Sequence, residues 1–336
     1  MIGKYLGHLA HDDPLYGYLR EYIVPQLGVT SDSVTFRVFQ PLRSHHVFLY
    51  EEERSRTRIV GKFYLTGRKP ILHAVKTGET EYNNLIFLRS LGFDSLPHYV
   101  VKPLGFNPDI GCVLLTEYLQ SDLLCAVIID AIRLGRSDRL YRKLSALGYF
   151  LATMHNRTAG DVPVNFNDSH EYMGKLVNSL IEKRGMGHAH SHELYRLREA
   201  WRHQGCMWED RAVLVHGDVT PSNFLFGRRQ DVMAIDLERM KWADRVFDLG
   251  RLCGELKHFF FQAKDDPHAA EPFIGHFLWE YCCHFPDRMS AFRAITRRIP
   301  FYMGITLLRI ARNSWIDHDY RWRLVREAEQ ILRALP

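Results

Sequence analysis

The chain has 336 residues, of which 46% are apolar and 25% charged, and a formal net charge of +5. That length can bury one large core or two, and the composition is that of a globular chain, which excludes disordered and fibrous classes. No apolar run approaches the roughly 18 residues of a membrane span, and no RNP-like or zinc-finger motif turns the modest positive charge into a nucleic-acid site.

The opening stretch, MIGKYLGHLAHDD, lacks the apolar core and small-residue cleavage site of a secretory signal. The six cysteines include no CxxC pair, and Cys282 and Cys283 are adjacent. Together these features predict free thiols in a reducing, cytoplasmic setting.

Three β-like runs come first. Val34, Phe36 and Val38 share one face of a strand ending near Pro41; His46–Tyr50 and Arg58–Leu65 follow, separated by the charged turn EEERSR. ETEYNNLIFLRSLGF then reads as a helix opened by Glu81, with Leu85, Leu88 and Leu91 on one stripe and Gly92 as its stop. Two further strands, His98–Leu104 and Cys112–Tyr118, flank the breaker-rich turn FNPDIG. The first 118 residues thus read as a mainly antiparallel sheet carrying one helix.

After Tyr118 the periodicity changes. Leu140, Leu144, Leu147, Leu151 and Met154 fall at helical steps of three and four, and helical patterns continue to the C-terminus. They are interrupted by the polar loop LVHGDVTPSNFLF and a hairpin in which Phe224–Phe226 turns through GRRQD and returns as Val232–Ile235, delivering Asp236. The tract GHAHSHE, with His188, His190 and His192, could bind a metal but reads first as a solvated loop between helices. The expected fold class is therefore α+β in two lobes: residues 1–118 sheet-rich, residues 119–336 larger and mainly helical, the layout of a kinase.

Phosphoryl transfer from ATP needs a carboxylate to orient the acceptor hydroxyl, oxygen ligands for Mg²⁺ and a cation to steady the phosphates. The protein-kinase template spaces its catalytic Asp and Asn as D-x-x-x-x-N, with a metal-binding Asp beyond. Asp218 and Asn223 have that spacing, and Asp236 follows after a strand, a turn and a strand. Lys62 lies in the third β-like run, and Glu81 in the helix after it is its expected partner. Each residue alone has a structural reading: a strand-surface lysine, a first-turn glutamate, a turn aspartate, a strand-entry asparagine. The order Lys, Glu, Asp, Asn, Asp in suitable elements is much harder to reach by accident.

HGDVTPSNFLF…VMAIDLERMKWADRVFDLGRL resembles the aminoglycoside phosphotransferase and choline kinase superfamily, through His216-Gly217-Asp218, Asn223, Ile235-Asp236-Leu237-Glu238 and Asp248-Leu249-Gly250. The resemblance implies a protein-kinase-like fold with residues 1–118 as nucleotide-binding lobe and 119–336 as catalytic and substrate-binding lobe. It implies Asp218 as catalytic base, Asn223 and Asp236 as Mg²⁺ ligands, and Lys62 with Glu81 as the phosphate-steadying pair. His216 and Asp248 would hold the loop in shape, and the backbone of Glu117, Tyr118 and Leu119 would meet adenine. The Gly-rich phosphate loop of protein kinases is missing: the corresponding turn, QPLRSHH, offers Ser44 and backbone amides.

The acceptor reads as a small-molecule hydroxyl. Only eleven residues, LERMKWADRVF, separate Asp236 from Asp248, and they include no Ser, Thr or Tyr. Protein kinases use a longer segment there to bind peptide. A polycationic aminoglycoside would favour Asp265, Asp266, Glu271 and Glu280; the C-terminal stretch from Phe285, with ten Arg against five acidic residues, favours a neutral or anionic acceptor such as a sugar or sugar phosphate. Phe273, Phe277 and Trp279 have the spacing of helix core packing. Two alternatives stand beside this reading: a kinase acting on protein, and a catalytically silent nucleotide-binding scaffold.

Overall fold

The computed structural model describes residues 3–29, 34–41, 46–67 and 70–336. The chain divides into two compact units, Met1–Ser121 with Met233–Glu238, and Asp122–Val232 with Arg239–Pro336. The segment bearing Asp236 thus goes with the sheet-rich unit.

In the first unit an antiparallel sheet of six strands, among the described residues, runs in the order Lys4–His8, Phe36–Gln40, Val47–Glu52, Arg58–Phe63, Val113–Glu117, Pro103–Asn107. One face buries Phe36, Tyr50, Ile59, Val113 and Leu115 against Leu15, Leu19, Ile23 and Val24 of the N-terminal helical turns. Full burial of each such side chain stabilises by about 1.5–3 kcal/mol. Because side chains alternate along a strand, Lys62 leaves the sheet on the face opposite Ile59. The register sets it between Val47 and Leu114.

Four sequence expectations change here. Lys4–His8 is an additional edge strand; its mostly exposed side chains leave no apolar alternation to read. The helix begins eight residues earlier than expected and spans Ile71–Ser90 behind Pro70, so Glu81 sits in its middle and does not open it. Thr77 and Gly78, weak helix formers, obscure the first two turns; Gly78 is buried where a Cβ would press on Tyr64 and Phe106. Glu51 and Glu52 belong to a strand and not to the turn: buried Glu51 accepts from Arg37, Arg56 and Arg58, and Glu52 accepts from the Arg54 and Ser55 amides. Finally, His98–Leu104 splits into His98–Val100 and Pro103–Asn107, in different sheets.

The second unit is helical: Leu124–Leu134, Ser137–Thr158, Asn167–Arg184, His188–Arg202, Val246–Lys264, Glu271–Cys282, Arg288–Thr296, Ile299–Ala311 and His318–Leu332. Leu140, Leu144, Leu147, Leu151 and Met154 are fully buried, as their spacing predicts, and Phe273 and Phe277 are core residues. Val246–Lys264 and Ile299–Ala311 pack very closely, because Gly250 and Gly254 face Tyr302 and Thr306 with no room for a Cβ. The GHAHSHE tract is the start of helix His188–Arg202 and not a loop. His190 Nδ1 meets Glu329 Oε1 at 2.7 Å and its ring stacks on Trp322, and these tertiary contacts extend the helix that Leu194, Leu197 and Trp201 anchor. All six cysteines are free, and no helix among the described residues is long and apolar enough to cross a membrane.

Candidate active site

Each unit gathers part of the expected constellation. In the first, Lys62 Nζ donates to Glu81 Oε2 at 2.8 Å, to Asp236 Oδ1 at 2.6 Å and to Glu238 Oε2 at 3.1 Å. Val101 N–H donates to the Ala234 carbonyl at 3.1 Å, and Asn84 Nδ2 to that of Leu237 at 2.8 Å; these bonds hold the Asp236 segment in this unit. Asp236 has φ +66°, a left-handed conformation unusual for a side-chain-bearing residue but one that aspartate tolerates, and its carboxylate turns to the lysine.

Glu81 is 3% exposed, and Tyr64 donates its hydroxyl to the same carboxylate. Burial pushes the Glu81 carboxyl upward, with Asp236 adding to the effect and Lys62 opposing it. Burial alone would lower the Lys62 ammonium; Glu81, Asp236 and Glu238 outweigh it, so the lysine stays charged. Three carboxylates facing one ammonium leave the group anionic. The oxygens of Glu81, Asp236 and Glu238 lie within 4.8 Å of one another, an all-oxygen donor set that suits a hard divalent cation. Glu238 was not singled out by sequence reasoning. Its signal lay in the ID-L-E string, which places a second acidic residue two positions after Asp236.

In the second unit, the His216–Asn223 loop is fastened from below. Asp248, fully buried in the first turn of Val246–Lys264, accepts from His216 N–H at 2.7 Å and from Gly217 N–H at 2.9 Å. His155 Nε2 meets the same carboxylate at 3.2 Å, and His155 Nδ1 meets Tyr281 Oη at 2.9 Å. Burial holds the His155 imidazole below its ordinary value, against the pull of Asp248. A neutral ring donating from Nε2 and accepting at Nδ1 satisfies both neighbours. Sequence reasoning missed His155: it is one polar residue on an otherwise apolar helix face.

Gly217 has φ +80°, and a Cβ there would collide with the Arg239 carbonyl, so only glycine makes this turn. Beyond it, Thr220 N–H and Asn223 Nδ2 both donate to the Asp218 carbonyl, at 2.7 and 3.0 Å, and Cys125 N–H donates to Pro221 O at 3.0 Å. The loop is thereby rigid around Asp218, whose Oδ1 is buried with no hydrogen-bond partner among the described residues. The structure therefore brings Lys62, Glu81 and Asp236 together in one unit, and His216, Asp218, Asn223 and Asp248 in the other.

Of the remaining candidates, Glu117 ends strand Val113–Glu117. Its carboxylate accepts from Tyr99 Oη at 2.5 Å and Lys102 N–H at 2.7 Å, while the backbone of residues 118–120 leaves the sheet. Tyr118 lies under the Arg58 guanidinium, 5.3 Å from ring centroid to Cζ, and Leu119 is half-buried. Ser44 lies outside the described residues.

The family model described as the phosphotransferase enzyme family matches residues 36–285. No curated protein matches the sequence. Among solved structures, an ethanolamine kinase of Plasmodium vivax is similar with a TM-score of 0.62 at 13% identity, over 93% of this chain and 86% of that one. The ADP-bound aminoglycoside phosphotransferase APH(2'')-Ib is similar with a TM-score of 0.57 at 14% identity, over 96% and 98%. The choline kinase LicA of Streptococcus pneumoniae is similar with a TM-score of 0.53 at 16% identity, over 95% and 99%. These likenesses establish the α+β kinase-like fold expected from the sequence. The chain belongs to the phosphotransferase enzyme family.

Proposed function

We propose that the protein transfers the γ-phosphoryl group of Mg²⁺-bound ATP to a hydroxyl of a small molecule, with Asp218 as the base. The observation that carries this reading is the meeting of Glu81, Asp236 and Glu238 around Lys62. Such a group combines a fixed cation for phosphate oxygens with carboxylates for a divalent metal. Asp236, with Glu238 beside it and Asn223 from the loop, would hold the magnesium, which neutralises charge developing on the phosphates. Glu81 keeps Lys62 charged and aimed.

Asp218 takes the acceptor's hydroxyl proton as the hydroxyl oxygen bonds to the γ-phosphorus. The bond from that phosphorus to the β,γ-bridging oxygen breaks, and ADP leaves. Such base assistance contributes about 10²–10⁴ in rate. Asp248, His155 and Gly217 act earlier in the chain of causes, by fixing where Asp218 stands. Backbone groups of Glu117, Tyr118 and Leu119 are the proposed adenine contacts.

The test is Mg²⁺-dependent ATP consumption in the presence of sugars, amino alcohols and aminoglycosides, with the phosphorylated product identified by mass. Stimulated consumption and a product heavier by one phosphoryl group are expected. A product found only on added protein would instead favour a protein kinase.

A further inference from the structure

Near Asp218 stands Arg251, with Arg309 beside it, two cations that the phosphotransfer scheme above does not use. Arg251 follows Asp248 by one helical turn, and Asp248 pins the backbone of residues 216 and 217, so this turn lies directly beneath the catalytic loop. Arg251 is 3% exposed, and its Cζ sits 5.4 Å from the Phe247 ring centroid. Burial depresses its guanidinium, Arg309 repels it, and Tyr172 and Asp218 attract it. Glu255, one more turn along, accepts from Arg309, which the close glycine contacts at 250 and 254 bring alongside.

Three buried atoms here lack hydrogen-bond partners among the described residues: Arg251 Nη1, Arg309 Nε and Asp218 Oδ1. Two are donors on cations, and one is a carboxylate acceptor. Native proteins pair buried polar atoms of this kind, because leaving them unpaired is costly. A ligand that completed the set would give an O–H to Asp218 and present anionic oxygen to the arginines. Lys241 adds a third cation nearby, with its Nζ 4.4 Å from the centroid of the same Phe247 ring; Asp168 partly offsets it.

Two of the four acidic residues that could instead recruit a cationic acceptor are already paired with cations. Glu271 is held by Lys257 at 2.9 Å, and Asp265 by Arg323. Lys257 is itself buried and also bound to Glu327 at 3.0 Å.

We infer that the acceptor is an anionic alcohol, a hydroxylated compound carrying a phosphate or carboxylate that Arg251 and Arg309 recognise while its hydroxyl faces Asp218. This rests on the reading of Asp218 as the base. The bond-making step is the one already written: proton to Asp218, oxygen to the γ-phosphorus, ADP released. A guanidinium fork is the side chain best matched to either anion.

The test offers the purified enzyme, with Mg²⁺-ATP, one sugar ring in four forms: neutral, 6-phosphate, uronic acid and amino sugar, beside an amino alcohol and an aminoglycoside. The expected result is a kcat/KM for the phosphate or the carboxylate form about 10²-fold or more above the neutral form, since a site built to bond a polar group rejects analogues lacking it. Which of the two wins identifies the anion. Arg251→Met and, separately, Arg309→Gln should raise KM for that form at least tenfold and leave the neutral sugar within a few-fold. Arg309 is less buried, so its variant serves if Arg251→Met fails to fold. An aminoglycoside or amino alcohol as best acceptor, or an equal loss for charged and neutral sugars in both variants, would overturn the inference and leave phosphotransfer standing. No product from any acceptor would overturn the phosphotransfer reading itself.

Discussion

Gly217 donates its backbone N–H to Asp248 at 2.9 Å, across thirty-one positions of sequence, and the neighbouring His216 amide reaches the other oxygen of the same carboxylate at 2.7 Å. The arrangement needs an acceptor at both oxygens. In Asp248→Asn, one amide N–H would face an NH₂ group, and the neutral His155 ring would lose its charged acceptor. Hydrogen bonds to buried charged groups contribute about 1.5–3 kcal/mol each, so the variant should lose on the order of 3 kcal/mol of stability and most of its turnover. Chemical denaturation of the two proteins reads the first effect. A midpoint unchanged from wild type would show that the carboxylate does not hold the loop.

Asp218→Asn tests a different property of the same loop. The substitution keeps the size and the backbone bonds to Thr220 and Asn223 but removes the proton acceptor. Turnover should fall by about 10²–10⁴, while ATP affinity stays within a few-fold. Turnover close to wild type would remove Asp218 from the role of base.

The metal assignment has its own readout. Asp236→Ala should abolish the Mg²⁺ dependence of nucleotide binding in a calorimetric titration. Glu238→Gln, at the residue that packs 3.1 Å from Lys62 Nζ, should weaken it without abolishing it. Identical titrations for wild type and Asp236→Ala would exclude this aspartate as a ligand. Glu81→Gln is the contrasting case: it removes the charge that keeps Lys62 oriented, so nucleotide affinity should drop even without Mg²⁺.

Much of this is legible in the sequence alone, and the reason is chemical. Lys62 sits in a strand, Asn223 and Asp236 beside strand ends and Asp218 in the short loop between two strands, in motifs whose spacing follows from short rigid elements. The Leu140–Met154 stripe was legible because a helix packed on one side repeats its apolar residues every three or four positions. What stayed hidden was tertiary. His155 and Arg251 each lie on helices among apolar neighbours, and nothing local distinguishes a buried polar residue that pins a loop from one on a solvated face. The first turns of Ile71–Ser90 were masked because Gly78 is chosen for its contact with Tyr64 and Phe106, against its own helix propensity. The His188 turn was likewise decided by Glu329 and Trp322, more than a hundred residues away.

His258 makes stability depend on pH. Burial, followed by repulsion from Arg309, pushes its imidazole down to about 4, while its Nδ1 meets Tyr320 Oη at 2.9 Å. An unfolded histidine titrates near 6.5, so between these values the unfolded chain binds the proton that the folded chain refuses. The stability associated with a neutral His258 is complete above about pH 6.5 and drains away as pH falls toward 4. A shift of this size corresponds to on the order of 3 kcal/mol. His258→Asn retains a polar side chain beside Tyr320 and removes the titration. Unfolding free energies measured from pH 7 to pH 4 should therefore decline less steeply in the variant, by an amount of that order. Parallel curves would show that the proton uptake responsible for acid destabilisation occurs at other groups, and that the Arg309 side of the arginine cluster does not act on this ring.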